Sequence, residues 1–137
     1  MIRDALHLRM GPDPAALTRF VRAAEAGGRL IEAFTWQSGR LACIADDTDD
    51  CARIAHGLHI PTERHQVVIA ELGRGMLAAA FERLTEQGVA IRAVSGLIGD
   101  RLTGHLLLDV DDPLRAEAAL AGIALGTGGG AAAVPRS

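Results

Sequence analysis

The stretch Met10–Ile31, MGPDPAALTRFVRAAEAGGRLI, decides how this chain is read, because the sequence runs through the same chemistry twice. It closes an apolar strand, turns through Gly11-Pro12-Asp13-Pro14, and continues as a helix to the glycine pair Gly27 and Gly28. Pro14 suits the first turn of a helix and Asp13 can cap its free N–H groups, while a glycine in left-handed conformation commonly ends one. Leu17, Val21 and Ala24 are expected on one buried stripe, with Phe20 beside them. Sixty positions on, Leu77 matches Leu17, Phe81 matches Val21, Gly88 matches Gly28 and Ile91 matches Ile31. A fixed internal period of this kind points to two copies of one supersecondary unit.

Around the repeated segment, Asp4 to Met10 alternates, with Leu6, Leu8 and Met10 on the face opposite Ala5, His7 and Arg9, which predicts a half-buried strand. Leu30 to Trp36 reads as a second strand, with Ile31, Ala33 and Thr35 toward the helices and Phe34 and Trp36 away from them. Ser38-Gly39 marks a hairpin into a strand at Leu41–Ala45. The acidic run Asp46 to Asp50 opens a second helix, capped by Asp47 or Thr48 and carrying Cys51, Ile54, Ala55 and Leu58 on its buried side. Pro61 ends it ahead of a short edge strand at Thr62 to His65. The second copy follows: a strand from His65 to Leu72, a helix from Met76 to Gln87, a strand from Val89 to Ser95, a turn near Gly99-Asp100, a strand from Gly104 to Val110, and a helix from Asp112-Pro113 to about Ala121. The prediction is an α+β chain of two ferredoxin-like βαββαβ units, antiparallel sheets with helices on one face, at 1–65 and 66–125, followed by a flexible Gly/Ala-rich tail at 126–137.

Composition narrows the function. The 137 residues carry 49% hydrophobic and 23% charged side chains with a formal charge of −3, the profile of a globular protein without an electrostatic footprint for nucleic acid. No apolar run is long enough to span a bilayer and no signal pattern precedes the first strand, so a cytoplasmic location without membrane attachment is expected. Cys43 and Cys51 read as reduced thiols. His56, His59 and His65 are spaced H-x2-H-x5-H, which fits no standard metal framework, and the Asp46–Asp50 run lacks the glycine and distant Glu of a calcium loop. No nucleophile motif occurs. No metal, cofactor or catalytic residue is assigned, and the chain is read as a non-enzyme.

The repeated motifs resemble the ACT domain, a small regulatory module of amino-acid metabolism. Its pattern of D-x-P-G-x-L at a helix start, A-G-I-N-I into the second strand, and an acidic helix start after the third is matched here by Pro12-Asp13-Pro14-Ala15-Ala16-Leu17, Ala26-Gly27-Gly28-Arg29-Leu30-Ile31 and Asp46-Asp47-Thr48. The second copy supplies Gly73-Arg74-Gly75-Met76-Leu77, Gln87-Gly88-Val89-Ala90-Ile91 and Val110-Asp111-Asp112-Pro113. The resemblance covers residues 4 to about 125. It implies a tandem ACT, amino-acid-binding regulatory protein, a homodimer, with a small carboxylate ligand at the strand-to-helix turns. By motif position the ligand-binding residues are Gly11, Asp13 and Ala15 in the first copy and Leu72, Gly73, Arg74, Gly75, Met76 and Leu77 in the second. The family's motif glycine is Ala15 in the first copy, and its second-strand Asn is Leu30 and Ala90 here. A protein-interaction module acting through the Phe34/Trp36 face is the alternative.

Overall fold

The computed structural model describes residues 1–98 and 103–123. The elements are β1 (Ile2–Arg9), α1 (Pro14–Ala26), β2 (Ile31–Gln37), β3 (Arg40–Ala45), α2 (Thr48–Gly57), β4 (Thr62–Gly73), α3 (Leu77–Glu86), β5 (Ile91–Ile98), β6 (Thr103–Val110) and α4 (Pro113–Leu120). The class is α+β, with antiparallel strand pairs and four helices among the described residues. The turn expected at Gly99-Asp100 and the tail at 126–137 lie outside them.

Contacts divide the chain into a first unit, Asp4–His65, and a second made of Met1–Arg3 with Gln66 onward. In the first unit the strands stand in the order β2-β3-β1-β4. Its core gathers Leu6, Leu8, Phe20, Leu41, Cys43, Ala45, Cys51 and Ala55. Helix α1 contributes Ala16, Phe20 and Ala24, one residue per turn, so Phe20 sits at the centre of the buried stripe rather than beside it. Leu17 and Val21 are only half-buried and line a shallow groove with Thr18, Arg22, Glu25 and Ala26.

The second unit places β4 between β6 and the first residues of β1. Ile69 donates its N–H to the Met1 carbonyl at 2.8 Å, and Ile2 packs against a core of Val68, Ala70, Leu72, Ala80, Leu84, Leu106, Leu108, Val110 and Leu120. The start of the chain therefore lies on the outer side of β4 in this unit. The edge strand expected at Thr62–His65 and the strand expected from His65 are one continuous twelve-residue strand, β4. Pro61 has no N–H to contribute, yet its carbonyl accepts from Arg9 at 3.0 Å, so the proline begins the pairing rather than isolating a fragment.

The predicted facing of β2 is overturned. The β2–β3 register slips between Ile31 and Ala33, so Ile31, Phe34 and Trp36 pair with Ala45, Cys43 and Leu41, the core side of β3. One extra residue reverses the alternation downstream of it. Trp36 consequently packs on the first core instead of pointing away from it, while Phe34 stays 68% exposed on the outermost strand of its unit. Strand β5 slips at the matching place, between Ile91 and Ala93, with Arg92 as the extra residue.

Candidate functional site

In the first unit the strand-to-helix turn is held from both sides. Gly11 adopts φ +75° and the β2–β3 hairpin tip reaches it, the Met10 N–H donating to the Gly39 carbonyl at 2.8 Å. Ser38 and Gly39 are both left-handed (φ 54° and 79°), the geometry of a two-residue hairpin that follows the strand twist. A Cβ on Gly39 would lie 2.5 Å from the Gly11 carbonyl carbon. Asp13 caps α1 by accepting from the Ala15 N–H at 2.9 Å. Gly11, Asp13 and Ala15 are thus brought together on an exposed turn, with a resident carboxylate already at the helix N-terminus.

The second unit's turn differs at that point. Leu72 is 2% exposed and belongs to the core, so its side chain faces away from any surface ligand. Gly73 and Met76 are half-buried, and Arg74, Gly75 and Leu77 are exposed. The Met76 N–H closes the turn onto the Gly73 carbonyl at 3.2 Å, and Gly75 takes φ +78° with open space where a Cβ would stand. Gly75 is therefore required by the backbone, not by a close neighbour. Helix α3 starts with no side-chain cap, whereas Asp13, Asp47 and Asp112 cap the other three helices through the N–H groups of Ala15, Asp50 and Arg115.

The positions of the absent family Asn serve a structural purpose in both copies. The Leu30 and Ala90 N–H groups donate to the carboxylates of Asp46 and Asp111 at 3.1 and 3.0 Å, and the N–H groups of those aspartates return the bond to the carbonyls of Leu30 and Ala90. Beside the first, Arg29 spans Asp47 at 3.2 Å and Asp50 at 3.3 Å, tying the start of β2 to the start of α2. In the second unit Arg92 bonds the buried Asp109 carboxylate at 3.0 Å and the Val110 carbonyl at 2.8 Å. Neither arginine stood out in the sequence, although each follows or sits within the repeated A/Q-G-x pattern.

The first unit also holds a polar cavity of about 170 Å³, lined by His7, Arg9, Arg40, Pro61, Thr62 and Glu63. Glu63 meets His65 Nε2 at 2.7 Å, and this hydrogen bond holds its carboxyl below the usual carboxylate range. His65 pairs with this strand neighbourhood rather than with His56 and His59, which are exposed. The thiols of Cys43 and Cys51 are free and buried; burial, then the neighbouring Cys51, pushes Cys43 up to about 12.

Solved structures of known proteins share this arrangement. Protein BT0572 from Bacteroides thetaiotaomicron superposes with a TM-score of 0.77 at 16% identity, over 88% of this chain and 87% of that one. The regulatory subunit of aspartate kinase from Thermus flavus gives 0.64 at 9% identity, over 88% and 93%. The fold is ACT-like. Aspartokinase III of E. coli, solved in complex with lysine and aspartate, gives 0.55 at 14% identity, over 89% of this chain and 32% of that one. No protein-family pattern matches the sequence and no curated relative does. Among the described residues no helix is long and apolar enough to cross a membrane.

Proposed function

We propose that this chain is a non-catalytic regulatory protein of two ferredoxin-like ACT units in tandem, at 1–65 and 66–125, which binds an amino acid or a similar small carboxylate. The observation that carries the reading is the bare N-terminus of α3 beside the exposed Arg74, in a chain that caps its other three described helices with aspartate. Free N–H groups at a helix start attract a carboxylate, and a guanidinium adds a bidentate partner. Asp13 fills the matching place in the first copy, so the Leu72–Leu77 turn is the ligand turn and the Gly11–Ala15 turn is the structural one. Solved neighbours named as aspartate kinase regulatory subunits, and one solved with lysine and aspartate, support an amino acid as the ligand class. The protein is read as a cytoplasmic homodimer.

A melting-temperature screen against the twenty amino acids and common keto acids tests this. A ligand at one hundred times its dissociation constant adds about 2.7 kcal/mol to the folded state. One compound should raise the melting temperature selectively, and Arg74→Glu, an exposed change, should abolish that rise while leaving the unliganded melt in place. A flat profile, or a shift that survives Arg74→Glu, rejects the site. Gly75→Val is the poorer probe, because at φ +78° a β-branched residue strains the turn whether or not a ligand binds.

A second reading rests on Phe34 and Leu30, 68% and 61% exposed at the outer edge of the first unit. A bare apolar residue on an edge strand, with another just ahead of that strand, suits contact with a second copy of this chain. Phe34→Ser should then convert a dimer to a monomer in light scattering; a monomeric wild-type chain removes this reading.

A further inference from the structure

Two arginines of the first unit stand directly opposite each other on neighbouring strands. Leu8 and Leu41 fill the core, so alternation puts Arg9 on β1 and Arg40 on β3 on the other face of the sheet, where the register pairs them. Arg9 gives its N–H to the Pro61 carbonyl at 3.0 Å, away from β3. Arg9 and Arg40 are therefore a pair without hydrogen bonds between them, the kind whose side chains lie closest. Like charges placed so destabilise a strand pair. Among the described residues neither guanidinium has an ion pair or hydrogen bond to relieve this, and Arg40 reaches Glu63 only as a longer-range charge. Both arginines line the cavity of about 170 Å³, with Thr62 and Glu63 on its β4 side. All four are exposed, so the cavity opens to solvent. One Glu63 oxygen meets His65 Nε2 at 2.7 Å, and the His65 ring lies 4.1 Å from that of His7. The second Glu63 oxygen and the Thr62 hydroxyl make no hydrogen bond among the described residues.

We propose that Arg9 and Arg40 bind inorganic phosphate as its hydrogen dianion, with Thr62 as a further donor and Glu63 accepting the proton that the ion retains. Two guanidinium forks side by side supply more donors than the two oxygens of a carboxylate can use, and their charge matches a tetrahedral dianion. Such an ion also removes the repulsion between the arginines. Glu63 sets the choice among tetrahedral anions. Its hydrogen bond with His65 holds its carboxyl below the usual carboxylate range, and an ionised carboxylate only accepts. It therefore opposes sulfate, which has no proton at neutral pH, and a phosphate monoester, whose last proton leaves at about pH 6. Hydrogen phosphate still has a proton to donate to the second Glu63 oxygen. The site lies within the Asp4–His65 unit and Arg74 in the other, so this proposal and the amino-acid reading fail separately.

The test uses the full chain at pH 7 in a phosphate-free buffer of low ionic strength, held constant with chloride. Isothermal titration with sodium phosphate should give one saturable equivalent, and phosphate should raise the melting temperature. Sulfate and glycerol phosphate should bind about tenfold more weakly or worse, because each brings an unrelieved like charge against Glu63. Arg9→Gln and Arg40→Gln should each abolish the response to phosphate. In the phosphate-free buffer both variants should melt above the wild type, since the repulsion is gone; an arginine with a merely structural role would give the opposite sign. Glu63→Gln should let sulfate bind as well as phosphate does, because an amide can donate. Arg74→Glu should leave phosphate binding unchanged. No saturable phosphate binding, equal binding of sulfate by the wild type, binding that survives both arginine substitutions, or arginine variants that melt below the wild type without phosphate overturns the proposal.

Discussion

At the scale of single residues, Gly39 constrains more than its own hairpin. A Cβ there meets the Gly11 backbone at 2.5 Å and the residue also needs φ +79°, so Gly39→Ala incurs both a clash with main chain and left-handed strain. Gly28→Ala incurs the strain alone, since φ is +81° and the space beside it is open. In urea unfolding Gly28→Ala is expected to lose about 1 to 2 kcal/mol, and Gly39→Ala clearly more; equal losses would mean that the hairpin tip moves away from Gly11 without cost. The Cys43 thiol gives a pH prediction of definite sign. Its ordinary value is 9.0 and burial raises it to about 12 in the folded chain. The folded state therefore holds its proton more tightly than the unfolded one. The resulting stability is complete below about pH 9 and falls as pH rises toward 12, by up to roughly 1.4 kcal/mol per pH unit. Cys43→Ala should start less stable and show a flatter decline over that alkaline window. A decline of unchanged slope assigns the alkaline loss to other groups.

At the scale of elements, the sequence was most informative where local chemistry decides the outcome. Asp13 before Pro14 and Asp47 before Thr48 announce helix caps, and both cap as expected through the N–H groups of Ala15 and Asp50. Asp47 in addition pairs with Arg29 at 3.2 Å, so Asp47→Ala should cost about 1 kcal/mol for the cap and further stability through the stranded guanidinium. Thermal unfolding of Asp47→Ala beside Arg29→Ala and the double variant measures the share that the pair holds, and purely additive losses would remove the ion pair from the account. What the sequence hid were effects of one residue. The slips at Glu32 and Arg92 carry no compositional mark, yet each changes which residues of its strand lie opposite the core positions of the neighbouring strand. Trp36 packs on the core for that reason, against what plain alternation predicts. The buried stripe of α1 differs from the expected one by a similar margin, because Phe20 and Leu17 differ by less than a turn and only packing in the core of Leu6, Leu8, Leu41 and Cys43 chooses between them. Of the candidate site, the turns and their glycines were readable from motif spacing. Arg29, Arg92 and the His7–His65 pair were not, since their partners come from elements distant in the sequence.

At the scale of the molecule, positions sixty apart share features that the residue types do not display. Gly28 and Gly88 are both left-handed, Leu30 and Ala90 both pair with an aspartate, and β2 and β5 slip at the same point. The two units differ in what flanks their first strand. Inside the first unit β1 lies between β3 and β4, and β4 is reached through Pro61. In the second unit the chain continues after α4 without a described strand, and Met1–Arg3 occupies the place beside β4. Ile2 is the side chain that joins these residues to the second core, lying against the same cluster as Val68 and Leu120. A carboxylate put there is desolvated with no partner designed for it, so Ile2→Asp is expected to cost about 2 kcal/mol or more. The loss should be local. Hydrogen exchange should accelerate at the amides of Gln66–Gly73, Ile69 above all, because its N–H bonds the Met1 carbonyl, whereas the amides of Leu41–Ala45 in the first core should keep their protection. Uniform acceleration would mean that the two cores open as one cooperative unit, and no acceleration would mean that the first three residues only lie against β4. The distinction bears on the proposed ligand turn, since the same β4 ends at Gly73 within it. A ligand that orders that turn should slow exchange along β4, and Ile2→Asp should weaken its binding without touching the site itself.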